Sequence, residues 1–230
     1  MPSEAKPVAL IFGAGVNIGA ALVKEFTKAG YRVAAVSRNT TAADAAGADL
    51  SVSANLADPS VVPAVFARAH KEFNTFPSVI VWNAATRTPS PDKTNIFSVP
   101  TADLNKDLAV AVTSPWAALN EAVKNWREGE RGVLIYTGNI MAKSVFPHPD
   151  FTTLGTSKRA ASYVVEAADV AYKAKGWRFY YADERTPEGK PMGHTPNADS
   201  HAAMYLQLAR EDTGKFPTYV TFAQGEYKAF

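Results

Sequence analysis

Apolar-rich runs of five to seven residues alternate along this chain with longer segments whose apolar positions recur at helical spacing, and short polar connections join them. The runs at 8–12, 31–36, 50–54, 78–82, 131–137, 178–182 and 218–222 predict strands. Between them a helix is expected from Asn17 to Ala29, closed by Gly30, and a second one is capped by Asp58, with Pro59 at its first position and Val62, Val65, Phe66 and Ala69 on one stripe. A long helical stretch from Thr101 to Arg127 is expected to bend near Pro115. Another, Thr152 to Lys175, buries Ala161, Val164, Val165, Ala168 and Tyr172 and ends at Gly176, and a last helix covers Asp199 to Asp212. The order predicts an α/β fold: a doubly wound parallel sheet of Rossmann type, three-layer α/β/α, in a single domain over residues 1–230. Loops at about 86–100, 138–151 and 183–198 follow the carboxyl ends of strands, where such sheets bind ligands.

Composition narrows the function classes. The 24 basic and 22 acidic residues are scattered, with no basic run to track a phosphate backbone, so nucleic acid is a poor partner. Without cysteine there is neither a disulfide nor a thiolate nucleophile. The apolar run after the polar residues 1–7 stops at Gly13, too short for a signal sequence or a membrane span, and a cytoplasmic protein is the expectation.

The chemistry concentrates where the first strand meets the first helix. Gly13 lets the chain turn tightly off the strand, and Gly19, six residues on, lets the helix pack close while leaving its first amides open to an anion. Gly13-x-Gly15-x-x-x-Gly19 is one residue too long for the G-x-G-x-x-G fingerprint. Asn17 stands between, as a residue tolerant of left-handed backbone angles. Nineteen residues beyond Gly19, where an acid would bind the ribose of NAD, stand Ser37 and Arg38, and no acid lies between Val33 and Thr41. A guanidinium there fits a 2′-phosphate, which points to NADP(H).

Read as Gly13-x-x-x-Asn17-x-Gly19, the turn resembles that of the short-chain dehydrogenase/reductase family. Three further segments between about residues 7 and 182 extend the resemblance. Asn55-Leu56 lies where the family makes its adenine contact, Trp82-Asn83-Ala84-Ala85 is similar to its Asn-Asn-Ala-Gly segment, and Thr156-Ser157-Lys158 looks like the end of its Tyr-x-x-x-Lys motif. The resemblance implies an NADP(H) site built from Gly13, Gly15, Asn17, Ile18, Gly19, Ser37, Arg38, Asn55, Leu56, Asn83, Ala84 and Lys158. It also implies a homodimer or homotetramer through the helices at 101–127 and 152–175.

The reacting end departs from the family pattern. Leu154 replaces the proton-donating tyrosine four residues before Lys158, Gly138 and Asn139 stand where the serine is expected, and the helix asparagine falls near Ala111. Glu184-Arg185 replaces the Pro-Gly pair after the sixth strand. Losing a positioned general acid costs about 10²–10⁴ in rate. The expected catalytic residues are therefore Lys158, Asn139 and, as a substitute proton donor, the loop histidine His148. Tyr163 and Tyr136 are expected in the core. Ser144, His148 and Asp150 lack a nucleophile elbow, and His194, Asp199 and His201 match no metal-ligand spacing, so no metal is expected. The expectation is an NADP(H)-dependent reductase of a small organic substrate that works without the usual tyrosine. A non-catalytic NADP(H) sensor and a lyase or cyclase on the same fold stay open here.

Overall fold

The computed structural model describes residues 6–193, 195–211 and 214–230. Its one sheet has eight strands in the order β3-β2-β1-β4-β5-β6-β7-β8. β1 (Val8–Phe12), the central strand, is completely buried and pairs in parallel with β2 (Arg32–Ser37) on one side and β4 (Val79–Trp82) on the other. β3 (Leu50–Ser53), β5 (Gly132–Thr137), β6 (Trp177–Glu184) and β7 (Tyr219–Ala223) continue the parallel sheet, and the two-residue β8 (Glu226–Tyr227) turns back antiparallel on β7. Alternate side chains of these buried strands point to opposite faces. Leu10, Phe12, Ile80, Trp82, Leu134 and Tyr136 therefore meet α3 (Val61–Phe73), α5 (Ser114–Asn125) and α6 (Thr152–Tyr172), while Ala9, Ile11, Val81 and Ile135 meet α1 (Ile18–Lys28) and α7 (Ala198–Arg210).

The structure corrects several expected elements. The stretch expected at 101–127 is helical without a break over 101–125, but not α-helical throughout: α4 (Thr101–Leu108) passes into a π-helical segment, Ala109–Thr113, and then into α5. The wider turn loosens backbone bonding there, and two carbonyls are taken by side chains from the sheet, Val110 O by Trp82 Nε1 at 3.1 Å and Ala111 O by Tyr136 Oη at 2.9 Å. The helix expected from Pro59 starts at Val61, because Asp58 accepts from the Ser60 amide and hydroxyl and holds the chain in a turn first. β6 extends two residues past Ala182, which puts Asp183 and Glu184 inside the sheet. A short helix, α2 (Thr41–Ala45), follows β2 unforeseen. The end of the last expected helix, Asp212, lies outside the described residues.

Tyr163 is 74% exposed, not core, because it lies on the outer face of α6 with Val170, and Trp116 is likewise exposed on α5. Among the described residues no helix is long and apolar enough to cross a membrane, and no group of three metal-ligating side chains assembles. His194 lies outside the described residues.

Candidate cofactor cleft and reacting end

A cleft of about 920 Å³ opens along the carboxyl ends of β1 to β4. Gly13, Gly15 and Val16 form its base, Ser37, Arg38 and Asn39 one end, Asn55 and Leu56 a wall, and Asn83, Ala84 and Thr86 the other end. The glycines divide their work. Gly13 has φ +86°, and a Cβ on it would sit 2.4 Å from the Ala84 amide nitrogen; one on Gly19 would sit 2.5 Å from Ala14 Cα. Both are therefore required by the fold. Gly15 has no atom within 4 Å of such a Cβ, so its missing side chain leaves free space on the cleft floor. The first turn of α1 carries no side-chain cap, which leaves helix amides for an anion. Asn17 has φ −98°, so its left-handed tolerance is not used; its Nδ2 lies 3.5 Å from Pro196 O instead.

At the β2 end the Ser37 hydroxyl donates to Asn39 O at 2.6 Å and the Ser53 hydroxyl to Arg38 O at 3.2 Å, which fixes the crest from which Arg38 projects. Arg38 is exposed, and its guanidinium makes no ion pair among the described residues. Asn55 caps its own turn by accepting from the Ala57 amide, and Leu56 O accepts from the Ser114 hydroxyl. The Asn83 side chain donates to Gly13 O at 2.9 Å and accepts from the Thr137 hydroxyl at 3.0 Å, and that hydroxyl in turn accepts from Tyr205 Oη at 2.9 Å. One amide thus locks the glycine turn to the crest of β5 and, through the Thr137 hydroxyl, to α7.

The remaining expected site residues are not brought into the cleft. Ile18 is half-buried and packs against the α1/α7 core. His148 is exposed, and its Nδ1 accepts from the Asp150 amide at 3.2 Å, so the structure does not support it as the proton donor. Asn139 spends its side-chain oxygen on the Met141 amide and caps a single 3-10 turn, Ile140–Ala142, a structural role. Lys158 is 3% exposed, and its ammonium donates to Thr137 O at 2.6 Å over the ring of Tyr136. Burial pulls its pKa down to about 8, and the charge of Asp183 opposes that shift.

Beside Lys158 lies a group of side chains that the sequence did not announce. Asp183, Glu184 and Arg185 are consecutive and all buried. Asp183 Oδ2 accepts from Arg185 Nε at 2.7 Å and from Tyr219 Oη at 2.7 Å, while its Oδ1 is buried with no partner among the described residues. Burial raises the Asp183 pKa, with Arg185 and Tyr219 pulling the other way. Glu184 accepts from the Asn197 amide at 2.9 Å and lies 3.4 Å from His201, whose pKa burial lowers to about 4. The signal that could have found the group was three charges running straight on from an apolar strand.

Position 138 shows why the serine is absent. A Cβ on Gly138 would sit 2.1 Å from the Tyr181 ring, which is itself stacked between Tyr136 and Tyr219 at centroid distances of 5.6 and 5.1 Å. Gly138→Ser is expected to lose about 1–3 kcal/mol by overpacking, read by urea unfolding. Wild-type stability in that variant would mean that Tyr181 moves aside freely.

Comparison with known proteins gives three results. The short chain dehydrogenase family model matches residues 7–182. A short chain dehydrogenase/reductase of Cryptosporiopsis sp. (strain 8999) is 36% identical over 233 residues, covering 95% of this chain and 92% of the relative. Two solved structures share the fold. A 3-ketoacyl-(acyl-carrier-protein) reductase from Brucella melitensis complexed with NADH has a TM-score of 0.81 at 20% identity, covering 96% of this chain and 99% of the other. A metagenomic short-chain oxidoreductase in complex with NADP has a TM-score of 0.80 at 18% identity, covering 94% and 96%.

Proposed function

This chain belongs to the short-chain dehydrogenase family of oxidoreductases, and on that premise we propose that it is an NADP(H)-dependent reductase acting on a small organic substrate. The observation that carries the cofactor choice is the crest of β2, where Ser37, Arg38 and Asn39 line the cleft and no carboxylate stands to bind a free ribose hydroxyl. The residues present fit such a nucleotide. Gly15 leaves the floor open, the uncapped α1 turn suits a pyrophosphate, Asn55 and Leu56 bound the adenosine end, and Asn83 and Ala84 bound the other. Bound there, NADPH supplies hydride. The chain's own residues hold and align it, and excluding water around the aligned groups lets alignment lower the barrier.

Calorimetric titration with NADPH and NADH tests the reading. NADPH is expected to bind at least tenfold tighter. Arg38→Ala is expected to lose about 1.5–3 kcal/mol of NADPH binding, a ten- to hundredfold weakening, with NADH binding little changed. Equal affinities in the wild type would remove the 2′-phosphate assignment.

A further inference from the structure

A cavity of about 770 Å³ lies on the far side of α6 from the cofactor cleft and shares no lining residue with it. α6 buries Ser157, Lys158, Ala161 and Val165, while Thr152, Thr156, Arg159 and Tyr163, at helical spacing on its other side, line the cavity. The remaining walls come from two loops, Ile96 and Phe97 from one and Met141, Val145, Phe146 and Phe151 from the other. These loops are fixed to each other. Ser90, 0% exposed, donates its amide to Pro149 O at 2.7 Å and its hydroxyl to Ile96 O at 3.1 Å. The Thr88 amide donates to Thr153 Oγ1 at 3.1 Å, and Lys93 pairs with Asp150. The walls are thus in place before anything binds, and their size and apolar lining are those of a small-molecule site.

Two features say what the cavity takes. Gly155 lines it from within α6, and a Cβ there would meet nothing nearer than Met141 Sδ at 4.0 Å, so packing does not demand a glycine. Glycine inside a helix is destabilising relative to alanine. Its bareness here keeps the floor open. Arg159 is the one charged residue among those lining the cavity. Its Nε donates to Ala142 O at 3.1 Å, which fixes the plane of the guanidinium, and no carboxylate among the described residues pairs with it. The acids nearby in the chain are engaged, Asp150 with Lys93 and Glu166 with Lys143 and Ser162. The Thr152 and Thr156 hydroxyls are spent on His148 O and Thr152 O.

We propose that this cavity binds an amphipathic monocarboxylate, an aryl or alkyl acid whose carboxylate meets Arg159 and whose apolar body lies over Gly155 among Phe97, Phe146 and Phe151. A guanidinium held in one plane presents paired N–H donors to a carboxylate. The aromatic walls take the body, and Phe97 and Val145, 79% and 78% exposed at the rim, are covered by it. Beyond Tyr163 and Val164 the cavity runs into a groove between α5 and α6 that has no charged lining residue. That groove offers nothing to select a partner by charge, whereas the cavity selects an anion. The site is independent of the proposed reduction.

Calorimetry with phenylbutyrate, phenylbutanol and phenylbutylamine, which share one body and differ in charge, tests the site. Phenylbutyrate is expected to bind one per chain with a Kd below about 1 mM. The alcohol and the amine should bind at least about tenfold more weakly, for want of a charge-assisted pair. Saturating NADPH should leave phenylbutyrate affinity unchanged. Gly155→Leu fills the floor from a position with room for a side chain, so it should abolish binding while Tm holds or rises. Arg159→Gln, which keeps a donor for Ala142 O, should bring acid and alcohol to equal affinity. No phenylbutyrate binding to the wild type, or unchanged binding in Gly155→Leu, overturns the site. Equal wild-type affinity for the three probes overturns the carboxylate assignment, and competition with NADPH moves the acid to the cofactor cleft and overturns the separate site. Sedimentation adds one more arm: a dimer that Gly155→Leu dissociates, with no acid bound, gives the cavity to a second copy of the chain and overturns the proposal.

Discussion

Arg185→Met is expected to cost about 3–5 kcal/mol of folding stability, because it leaves the buried Asp183 carboxylate without its cation. Arg185 is 8% exposed and also donates to Gly189 O at 3.2 Å, so the loss reaches the turn beyond β6. The removal of charge, not of volume, does the damage. The double variant Asp183→Leu/Arg185→Met should therefore recover much of the loss, with Tyr219 Oη keeping only its longer bond, 3.4 Å, to Asn139 O. The pH dependence has a definite sign. Without Arg185 the folded-state pKa of Asp183, already raised by burial, rises further above its unfolded value. The folded state then binds the extra proton, so the deficit is full above the folded pKa and shrinks as pH falls through it. Urea unfolding at two pH values measures both effects. A single variant within about 1 kcal/mol of wild type, inside the range of a solvated surface pair, would mean that Asp183 is not an uncompensated charge in the fold.

The second large effect separates two glycines that stand two residues apart. Gly13→Ala forces a side chain into φ +86° and against the backbone of Ala84 at 2.4 Å, where nothing flexible can yield. Left-handed strain of about 1–2 kcal/mol and overpacking of about 1–3 kcal/mol together predict a loss of roughly 2–5 kcal/mol. For a chain of this size that lowers Tm by about 4–20 °C. Gly15→Ala meets nothing within 4 Å and has an ordinary φ, so its stability should hold. The added methyl instead occupies the cleft floor, and NADPH binding should weaken. Thermal unfolding and calorimetry on the same two proteins read the contrast. Equal stability losses in both would show that Gly15 also serves the fold.

Much of this was legible in the chain. The apolar run 8–12, the glycine turn and the stripe Val62, Val65, Phe66, Ala69 are local patterns, and local patterns set strands, turns and helix faces. Gly13, Gly15, Ser37, Arg38, Asn55, Leu56, Asn83 and Ala84 do converge on one cleft. What stayed hidden depends on partners far along the chain. The π-helical segment is held by Trp82 and Tyr136, whose indole and phenol could not be paired with carbonyls 110 and 111 before the sheet was known. The run Asp183-Glu184-Arg185 falls at the start of the ligand-binding loop expected at 183–198, and only the packing of its first two residues against Tyr219, Asn197 and His201 makes them the end of a buried strand. His148 is placed near the reacting end by its loop before Leu154, and a loop gives no hint of which way its side chains face. Tyr163 misled for a related reason: α6 is apolar on two faces, and spacing does not say which one meets the sheet.

The way the sheet ends bears on how this protein behaves when crowded. An open sheet offers its last backbone as a template on which another chain can add a strand, and Tyr219-Val-Thr-Phe-Ala223 is the kind of run that aggregates. Here the last turn of chain folds back on that run: Phe222 and Ala223 pair with Tyr227 and Glu226, Lys228 donates its amide to Thr221 O, and Thr221 returns its hydroxyl to Lys228 O. The opposite edge is β3, only four residues long and carrying Ser51 and Ser53. Neither margin leaves a long apolar strand exposed, so recognition of other molecules falls to the helices and loops, and the sheet itself is shielded from intermolecular pairing.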